Sequence, residues 1–209
     1  FQYVKKIYKQ LKTNDAKIFL DHCVKDVTRD KNSVKIKIKG KDEKHFDKVV
    51  FACHSNQALK LLKDASPNEK NILGDIQYQD NIATIHTDIN ILPKRKKAWS
   101  SWNYLATNKS NKVILTYNMN ILQSLKSNDV FCVTINDPGL INNNKVIKTI
   151  NYSHPLFSKS SIKAQSKKSL INGKNNTFFS GAYWGYGFHE DGVNSALDVC
   201  NHFNMSLDE

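Results

Sequence analysis

The segment from residue 177 to residue 203 constrains the fold of this chain more than any other. An apolar strand at 177–180 runs into GAYWGYGFHEDG, which holds four of the chain's eight glycines, and a helical pattern follows from Asp191 to Phe203. A strand, a glycine-rich turn and a helix N-terminus present unpaired amides and the positive end of the helix dipole. The segment therefore predicts an α/β fold with a candidate ligand site at the turn. These residues alone also fit a tight turn that Asp191 caps without any ligand.

The N-terminal third alternates between helical and strand-like patterns. It predicts a helix at residues 2–11, strands at 17–20, 34–38 and 49–52, a polar turn at 39–44, and helices at 55–62 and 67–73. The run Val49, Val50, Phe51, Ala52 is continuously apolar. Such continuity indicates a strand that is buried on both faces.

The sequence pattern changes after Gly74, where strand-like runs replace the mixture of helical and strand-like patterns. Strand-like runs at 82–86, 112–117, 130–135 and 145–152 are separated by Asn, Gly and Pro turns, and a helix at 160–171 follows them. This spacing predicts an antiparallel sheet inserted into an α/β domain. The fold class is therefore α/β (α+β), with residues 1–74 and 156–209 forming one domain and residues 75–155 forming a subdomain.

The charge of the chain invites a nucleic-acid interpretation, but its distribution argues against one. The net charge is +12, yet only Arg29 and Arg95 are arginines, the residue best suited to reading bases and phosphates. The lysines are scattered, with the densest cluster at 94–97. A solvated surface is the preferred interpretation, and no nucleic-acid partner is expected. A basic module that binds an anionic lipid surface or nucleic acid is the alternative hypothesis.

Location and metal content follow from what the sequence lacks. It has no run of about 18 apolar residues, so no transmembrane helix is expected, and no signal peptide is visible. Four isolated cysteines, at 23, 53, 132 and 200, suit free thiols in a reducing cytoplasm, and no metal site is expected. Cytoplasmic localisation follows, with peripheral membrane contact left open.

Several strings of the sequence are more specific than the patterns. They are FLDHCVKDV (19–27), FDKVVFA (46–52), HTD (86–88), SWNY (101–104), LTYNMNILQ (115–123), YSHPLF (152–157) and SGAYWGYGFHEDG (180–192). Together they resemble the C-terminal half of flavin-containing amine oxidase-like proteins, in the NAD/FAD-binding branch associated with cyclopropane-fatty-acid-synthase-like enzymes. The resemblance implies part of a glutathione-reductase-type FAD domain at 1–74 and 156–209, with a substrate subdomain at 75–155.

The resemblance implies FAD as cofactor and names the residues that would meet it. Val24 would lie against the adenine and Ala52 near the cofactor. The loop that holds Gly181 and Gly187 would cover the ribityl chain, and the amides of Gly192 and Val193 would face the pyrimidine edge of the flavin. Amides at a helix N-terminus would stabilise negative charge on the reduced ring. Ala182 stands where related proteins commonly have an acid, for which Glu190 or Asp191 could compensate.

One signature of this fold is missing from the sequence. No G-x-G-x-x-G occurs in the 209 residues, so the dinucleotide-binding βαβ unit is absent. The expected partner is therefore a missing N-terminal half of the same protein. The fragment by itself is expected to be inactive and to bind FAD poorly.

Catalysis is predicted at the level of reaction class. Flavin oxidases remove a hydride from a C–N or C–C bond in a site that excludes water. Trp184 and Tyr186 would form a wall of that site, and His189 is the best placed histidine. Four aromatic residues of the inserted sheet could line the substrate side or belong to the core: Trp99, Trp102, Tyr104 and Tyr117. The expected substrate is a small molecule or a lipid, and the association with lipid-modifying enzymes favours an acyl chain.

Overall fold

The chain forms two compact units. The computed structural model describes residues 2–106 and 113–206. One unit holds the chain up to Ile76 and from Phe157 onward, and the second spans Gln77–Leu156. These boundaries lie within two residues of the domain limits that the sequence predicts. What each unit binds remains a prediction.

The first unit begins with a helix, a small antiparallel sheet and two more helices. The sheet has the order β1-β2-β3. The elements are α1 Gln2–Thr13, β1 Val24–Arg29, β2 Val34–Ile38, β3 Lys44–Phe46, β4 Val49–Phe51, α2 Ser55–Leu61 and α3 Pro67–Gly74. Ser66 caps α3 by accepting a hydrogen bond from the Glu69 amide, and Pro67 opens the helix.

Three predictions in this region are wrong in detail. Residues 17–20 form no strand, because no neighbouring strand pairs with them, and Phe19 and Leu20 are exposed there. Strand β1 was not predicted, and β3 begins at Lys44, which the sequence placed in a turn. Short charged strands of this kind are specified by their partners more than by their own pattern.

The remaining part of the first unit returns to strand β4. It contains α5 Lys159–Gln165, β10 Thr177–Phe179 and α6 His189–Asn201, and β10 pairs with β4 in parallel. All three residues of β10 are buried, whereas Val50 of β4 is 46% exposed. The predicted burial of β4 on both faces is therefore wrong, because among the described strands β4 pairs only with β10. Phe51 and Phe179 stack across the pair at 5.6 Å between centroids.

A buried ion pair ties β1 to α3 and β10. The Arg29 guanidinium donates to both oxygens of Glu69, at 2.5 and 2.9 Å, and to Thr177 Oγ1 at 3.0 Å. Burial disfavours both charges. The hydrogen bonds and mutual attraction outweigh it, so the pKa of Arg29 is raised and that of Glu69 is lowered. This pair fixes the small sheet against the parallel strands.

The second unit is an antiparallel sheet of five strands. They are β5 Tyr78–His86, β6 Trp102–Leu105, β7 Ile114–Asn118, β8 Cys132–Ile135 and β9 Val146–Pro155, with a single-turn helix α4 at Met119–Leu122. Their order in the sheet is β6-β7-β8-β5-β9. The predicted antiparallel sheet is confirmed, although β6 was not predicted. The predicted strand at 112–117 begins at Lys112, which lies outside the described residues.

Within the described ranges, no helix is long and apolar enough to cross a bilayer.

Candidate functional site

Two loops of the first unit leave the same edge of the parallel pair. Strand β4 leads into Ala52 and Cys53, and β10 leads into Ser180 and Gly181. The Ser180 amide donates to the Phe51 carbonyl at 2.9 Å, so the two exits stay together. The carboxyl ends of parallel strands are where open α/β sheets bind their ligands. The structure thus brings the glycine loop and the residues after FDKVVF to one edge.

Ser195 of α6 holds the start of the glycine loop. Its buried hydroxyl accepts a hydrogen bond from the Gly181 amide at 2.8 Å and lies 2.9 Å from the Gly192 carbonyl, to which it donates. Ser180 Oγ lies 3.1 Å away. Sequence reasoning missed Ser195. Its position three residues after Gly192, on the inner face of the helix, was the available signal.

The glycines of the loop make room for the chain's own atoms. A Cβ at Gly185 would lie 2.2 Å from Asp191 Oδ1, and one at Gly181 would lie 2.4 Å from the Tyr183 ring. Gly187 has φ of +87°, which side chains rarely adopt. At Gly192 the nearest atom to an added Cβ lies 4.0 Å away, in ordinary contact. Close packing inside the loop, rather than an approaching ligand, therefore accounts for Gly181 and Gly185.

The N-terminus of α6 differs from the prediction by two residues. The helix begins at His189 rather than at Asp191, and the Gly192 amide donates to the Phe188 carbonyl at 3.3 Å. Gly192 and Val193 thus lie past the first turn, where helix amides bond within the helix. The amides of the first turn belong to His189, Glu190 and Asp191, and these can face a ligand. The expected role of the Gly192 and Val193 amides is corrected accordingly.

Asp191 works inside the loop. Its Oδ2 accepts hydrogen bonds from the Tyr186 amide at 3.0 Å and the Phe188 amide at 2.9 Å. A carboxylate that is already bonded twice to the loop is a poor substitute for the acid that Ala182 replaces. Glu190 is exposed and forms no hydrogen bond to the described residues of the loop, so it is the better candidate for that role.

The three predicted catalytic residues lie in different environments. Trp184 is half-buried and donates its indole N–H to the Phe179 carbonyl at 2.9 Å, which makes it a support for β10. Tyr186 is 72% exposed, with its ring 6.2 Å from that of Phe157, and His189 is also exposed. Tyr186 and His189 therefore remain available to a ligand, whereas the Trp184 N–H is occupied.

Gln165 clamps the same loop from α5. Its side-chain amide donates to the Tyr183 carbonyl at 3.0 Å and to the Gly185 carbonyl at 2.7 Å. Both N–H groups of one side chain thus fix two turns of the loop. No sequence signal singled out Gln165, because its partners lie about twenty residues away in the chain.

A cavity of about 370 Å³ lies beside Val24. It is lined by residues of β1, of the loop that follows β4 and of α2, among them Val24, Cys53, Gln57 and Lys60. Its volume is in the range of small-molecule sites. Burial raises the pKa of the Cys53 thiol, so this cysteine is a neutral wall rather than a nucleophile. Val24 and Cys53, the residue after Ala52, therefore line one cavity, while the cofactor contacts expected of Val24 and Ala52 stay a prediction.

The sheet of the second unit carries its polar row on the buried face. Thr84, Thr134, Thr116 and Asn103 are directly opposed across four strands, and all are buried. Thr134 Oγ1 lies 2.8 Å from Thr116 Oγ1. Polar side chains in such a position must satisfy one another. This row is therefore part of the core and not a solvent face.

His86 belongs to that core. Its Nδ1 accepts a hydrogen bond from the Asp88 amide at 3.1 Å, so Nε2 carries the proton and donates to Thr134 Oγ1 at 2.7 Å. Burial lowers the pKa of His86, against the opposing charge of Asp88. The described residues contain no group of three metal-ligating side chains. The H-x-D spacing is structural.

The opposite face of the sheet is apolar and partly open. Trp102 is 56% and Tyr104 67% exposed, and the Trp102 and Tyr117 rings meet edge to face at 5.5 Å. Trp99 differs, because it packs against Ile91, Leu92 and Cys132 and donates its N–H to the Pro93 carbonyl at 2.8 Å. Trp99 is therefore core, whereas Trp102 and Tyr104 belong to a surface. Exposed apolar patches of this kind mark interaction sites.

Comparisons with solved structures show the same fold. A CLA-producing fatty acid isomerase from P. acnes aligns with a TM-score of 0.61 and 15% identity, over 88% of this chain and 48% of that one. Cyclohexylamine oxidase from Brevibacterium oxydans IH-35A aligns with a TM-score of 0.57 and 11% identity, over 95% and 52%. Reduced UDP-galactopyranose mutase aligns with a TM-score of 0.62 and 9% identity, over 96% and 51%.

The chain thus spans about half the length of the structures it resembles. At these identities the likeness concerns the fold, and it confirms the predicted class. No curated protein sequence matches the chain. The family model for flavin containing amine oxidoreductases matches residues 2–138 and points to FAD as the cofactor. Because that match covers well over half of the sequence, this chain belongs to the flavin-containing amine oxidoreductase family.

Proposed function

We propose that the protein containing this chain is an FAD-dependent oxidoreductase that oxidises a C–N or C–C bond. The observation that carries the proposal is the common edge of β4 and β10, where the glycine loop and the start of α6 follow the parallel pair. Bound FAD would supply the hydride acceptor for the C–H bond that breaks. The family match supports this reaction class.

The chain's own residues would bind and orient the cofactor. The cavity beside Val24 and Cys53 would hold a planar ring, and the first-turn amides at residues 189–191 would face negative charge. Ser195, Gln165 and Asp191 would hold the loop in place through the bonds described above. Tyr186 and His189 are exposed, as is Phe188 between them, and their polar groups could reach a substrate.

A lipid or acyl-chain substrate fits the second unit better than a free amine. The open sheet face carries aromatic and branched apolar side chains, and its strand positions hold no acid that could pair with an ammonium group. One similar structure is that of a protein named as a fatty acid isomerase. The substrate would therefore be apolar over most of its length.

The proposal includes an N-terminal half as partner and weak FAD binding by the 209 residues without it. Without a G-x-G-x-x-G, the 209 residues lack the unit that holds a dinucleotide pyrophosphate, which an N-terminal half would supply. We expect the chain alone to bind FAD weakly and to be inactive, and the whole protein to be cytoplasmic with optional membrane contact. Purification of the 209-residue chain with added FAD, followed by measurement of flavin absorbance, tests this point. Tight stoichiometric flavin on the chain alone would contradict it.

The oxidoreductase activity is tested on the longer protein. Anaerobic addition of substrate candidates should bleach the absorbance of bound flavin, and a longer protein that contains no flavin would reject the proposal. Glu190→Gln and His189→Gln are informative variants, because neither side chain makes a bond that supports the loop. If either residue meets the reacting groups, the rate of bleaching should fall while flavin content stays at the parent level.

Helix α1 favours a second candidate function, a basic lipid-binding module. Its four lysines, at 5, 6, 9 and 12, have no acidic neighbours within the helix, and its apolar residues Val4, Ile7, Tyr8 and Leu11 are all exposed. Basic amphipathic helices of this kind bind anionic membranes. Sedimentation with vesicles of phosphatidylserine and phosphatidylcholine, over a salt series and with and without FAD, distinguishes the two functions. Steep salt-dependent binding without any flavin effect favours the module.

A further inference from the structure

We propose that the open face of the five-stranded sheet binds a long-chain monocarboxylate, with the carboxylate at Lys148 and the acyl chain laid across the strands toward Trp102. The proposal deepens the oxidoreductase function above and rests on it, because the bound acyl chain would be the substrate that is oxidised. It concerns the second unit alone. Its evidence is the register of the sheet, the exposure of the face and its charge.

The register places four apolar residues in one line across the sheet. Ile85 is opposite Val133, Val133 opposite Tyr117, and Tyr117 opposite Trp102. Directly opposed residues of antiparallel strands project to the same face. A second line runs parallel to the first through Ile150, Ala83, Ile135, Leu115 and Tyr104. The two lines form an apolar strip that crosses every strand.

The strip is unusual because the buried face of the same sheet holds most of its polar side chains. Threonines and His86 share the core side with Ile114 and Cys132. At the ends of the strip Trp102, Tyr104 and Ile150 are 56%, 67% and 41% exposed, whereas Ala83 in its middle is buried. A sheet normally places its apolar side chains inward. A reversed arrangement exposes apolar area that solvent disfavours. An apolar ligand would remove that area from water.

One end of the strip carries a positive charge. Lys148 on the edge strand β9 is directly opposite Ile85 and therefore continues the first line. Lys148 is exposed, and none of the ion pairs between described residues involves it. The described strand positions of this face hold no aspartate or glutamate. A ligand with an anionic head and an apolar tail matches this order of charges.

The width of the sheet matches a long chain. From β9 to β6 there are four interstrand spacings of about 4.8 Å, or roughly 19 Å in all. This is the length scale of an extended long acyl chain. A chain bound at Lys148 would therefore end against Trp102, whereas a much shorter one would stop at the middle strands. An ammonium head would instead meet Lys148 with like charge.

The experiment compares ligands that share a chain and differ in the head. Calorimetric titrations of the purified protein with hexadecanoate, hexadecan-1-ol and hexadecylamine, below their aggregation limits, should give the order carboxylate, alcohol, amine. Lys148→Glu should weaken the binding of hexadecanoate roughly tenfold and leave the affinity for hexadecan-1-ol unchanged. Lys97→Glu, an exposed charge reversal in the same unit and off this face, is the matched control and should change neither.

The far end is tested by chain length. Trp102→Ala should weaken the binding of hexadecanoate severalfold and leave the affinity for decanoate unchanged, since the shorter acyl chain does not reach that residue. Equal binding of the three heads, an unaffected Lys148→Glu variant, or preference for the amine would overturn the proposal. Flavin content and flavin bleaching are measured separately. Their loss would reject the oxidoreductase function, whereas the head-group order decides the site on the sheet.

Discussion

Gly185 in the glycine loop and Gly192 in helix α6 differ in what a methyl group would meet. At Gly185 an added Cβ would lie 2.2 Å from Asp191 Oδ1 and 2.8 Å from Asp191 Cβ, whereas at Gly192 the nearest atom lies 4.0 Å away. The short Asp191 side chain cannot move aside without releasing the Tyr186 and Phe188 amides. The loop geometry therefore depends on Gly185 and not on Gly192.

We expect opposite effects of the same substitution at these two positions. Gly185→Ala should lower the free energy of unfolding by about 1–3 kcal/mol through overpacking. Gly192→Ala, inside α6, should be neutral or stabilising by up to about 1 kcal/mol. Urea denaturation of both variants measures the difference. Equal destabilisation by both would show that the loop glycines serve something other than internal packing.

His86 makes the stability of the protein depend on pH. Burial lowers its pKa in the folded state, whereas an unfolded histidine titrates near about 6.5. The unfolded state therefore binds more protons below that pH, and the free energy of unfolding should fall as pH falls through this window. Asp88, whose pKa is also lowered in the folded state, acts only at lower pH, around and below about 4.

The test is the slope of stability against pH. His86→Gln should flatten the decrease in stability below about pH 6.5, even if it lowers stability overall. Thermal unfolding at several pH values provides the measurement. An unchanged slope in His86→Gln would mean that other groups carry the pH dependence.

At the scale of elements, the small sheet depends on one buried ion pair. The side chains of Arg29 and Glu69 are 2% and 1% exposed, and Arg29 also bonds Asp64 and Thr177. Removing one partner of such a pair leaves the other charge buried. Each of β1, α3 and β10 loses a contact at once.

We therefore expect Arg29→Met to lower the free energy of unfolding by about 3–5 kcal/mol. The double variant Arg29→Met with Glu69→Leu should recover part of this loss, because no uncompensated charge remains. Lys35→Met, which removes an exposed pair with Glu43, is the control and should change stability by less than about 1 kcal/mol. Urea denaturation of the parent, both single variants Arg29→Met and Glu69→Leu, the double variant and the control tests the coupling. Full additivity of the two single effects would contradict it.

Element boundaries show where sequence patterns stop being informative. The alternating residues of β2 and the strand-like runs of the second unit correctly predicted strands, because period-two patterns follow directly from the pleat. Strands β1 and β6 and the false strand at 17–20 depended on pairing. Pairing partners are distant in the chain, so no local pattern specifies them.

At the scale of the whole molecule, the net charge of +12 is spread thinly. Several lysines are paired with carboxylates, as in the Lys168–Asp198 bond of 2.6 Å. We expect retention on heparin at low salt that is lost near physiological ionic strength, as for sequence-independent contacts. Reversing Lys94 and Arg95 should shift elution no more than reversing Lys39 and Lys41. A markedly larger shift for the first pair would reveal a specific anion site.

The sequence by itself determined the class of the molecule and the place of its glycine loop. The strand, glycines and helical period at 177–203 follow from local geometry, which a pattern records directly. It also located Val24, Ala52 and Tyr186, whose surroundings the structure then described.

Only the tertiary structure decided what those residues do. It turned Asp191 and Trp184 into supports, shifted the free helix amides to residues 189–191, and added Ser195 and Gln165. It also placed the threonines of the inserted sheet on its buried face and Trp102 on its exposed face. Alternation shows that a strand has two faces. Which face is covered depends on elements elsewhere in the chain, so only the folded arrangement answers that question.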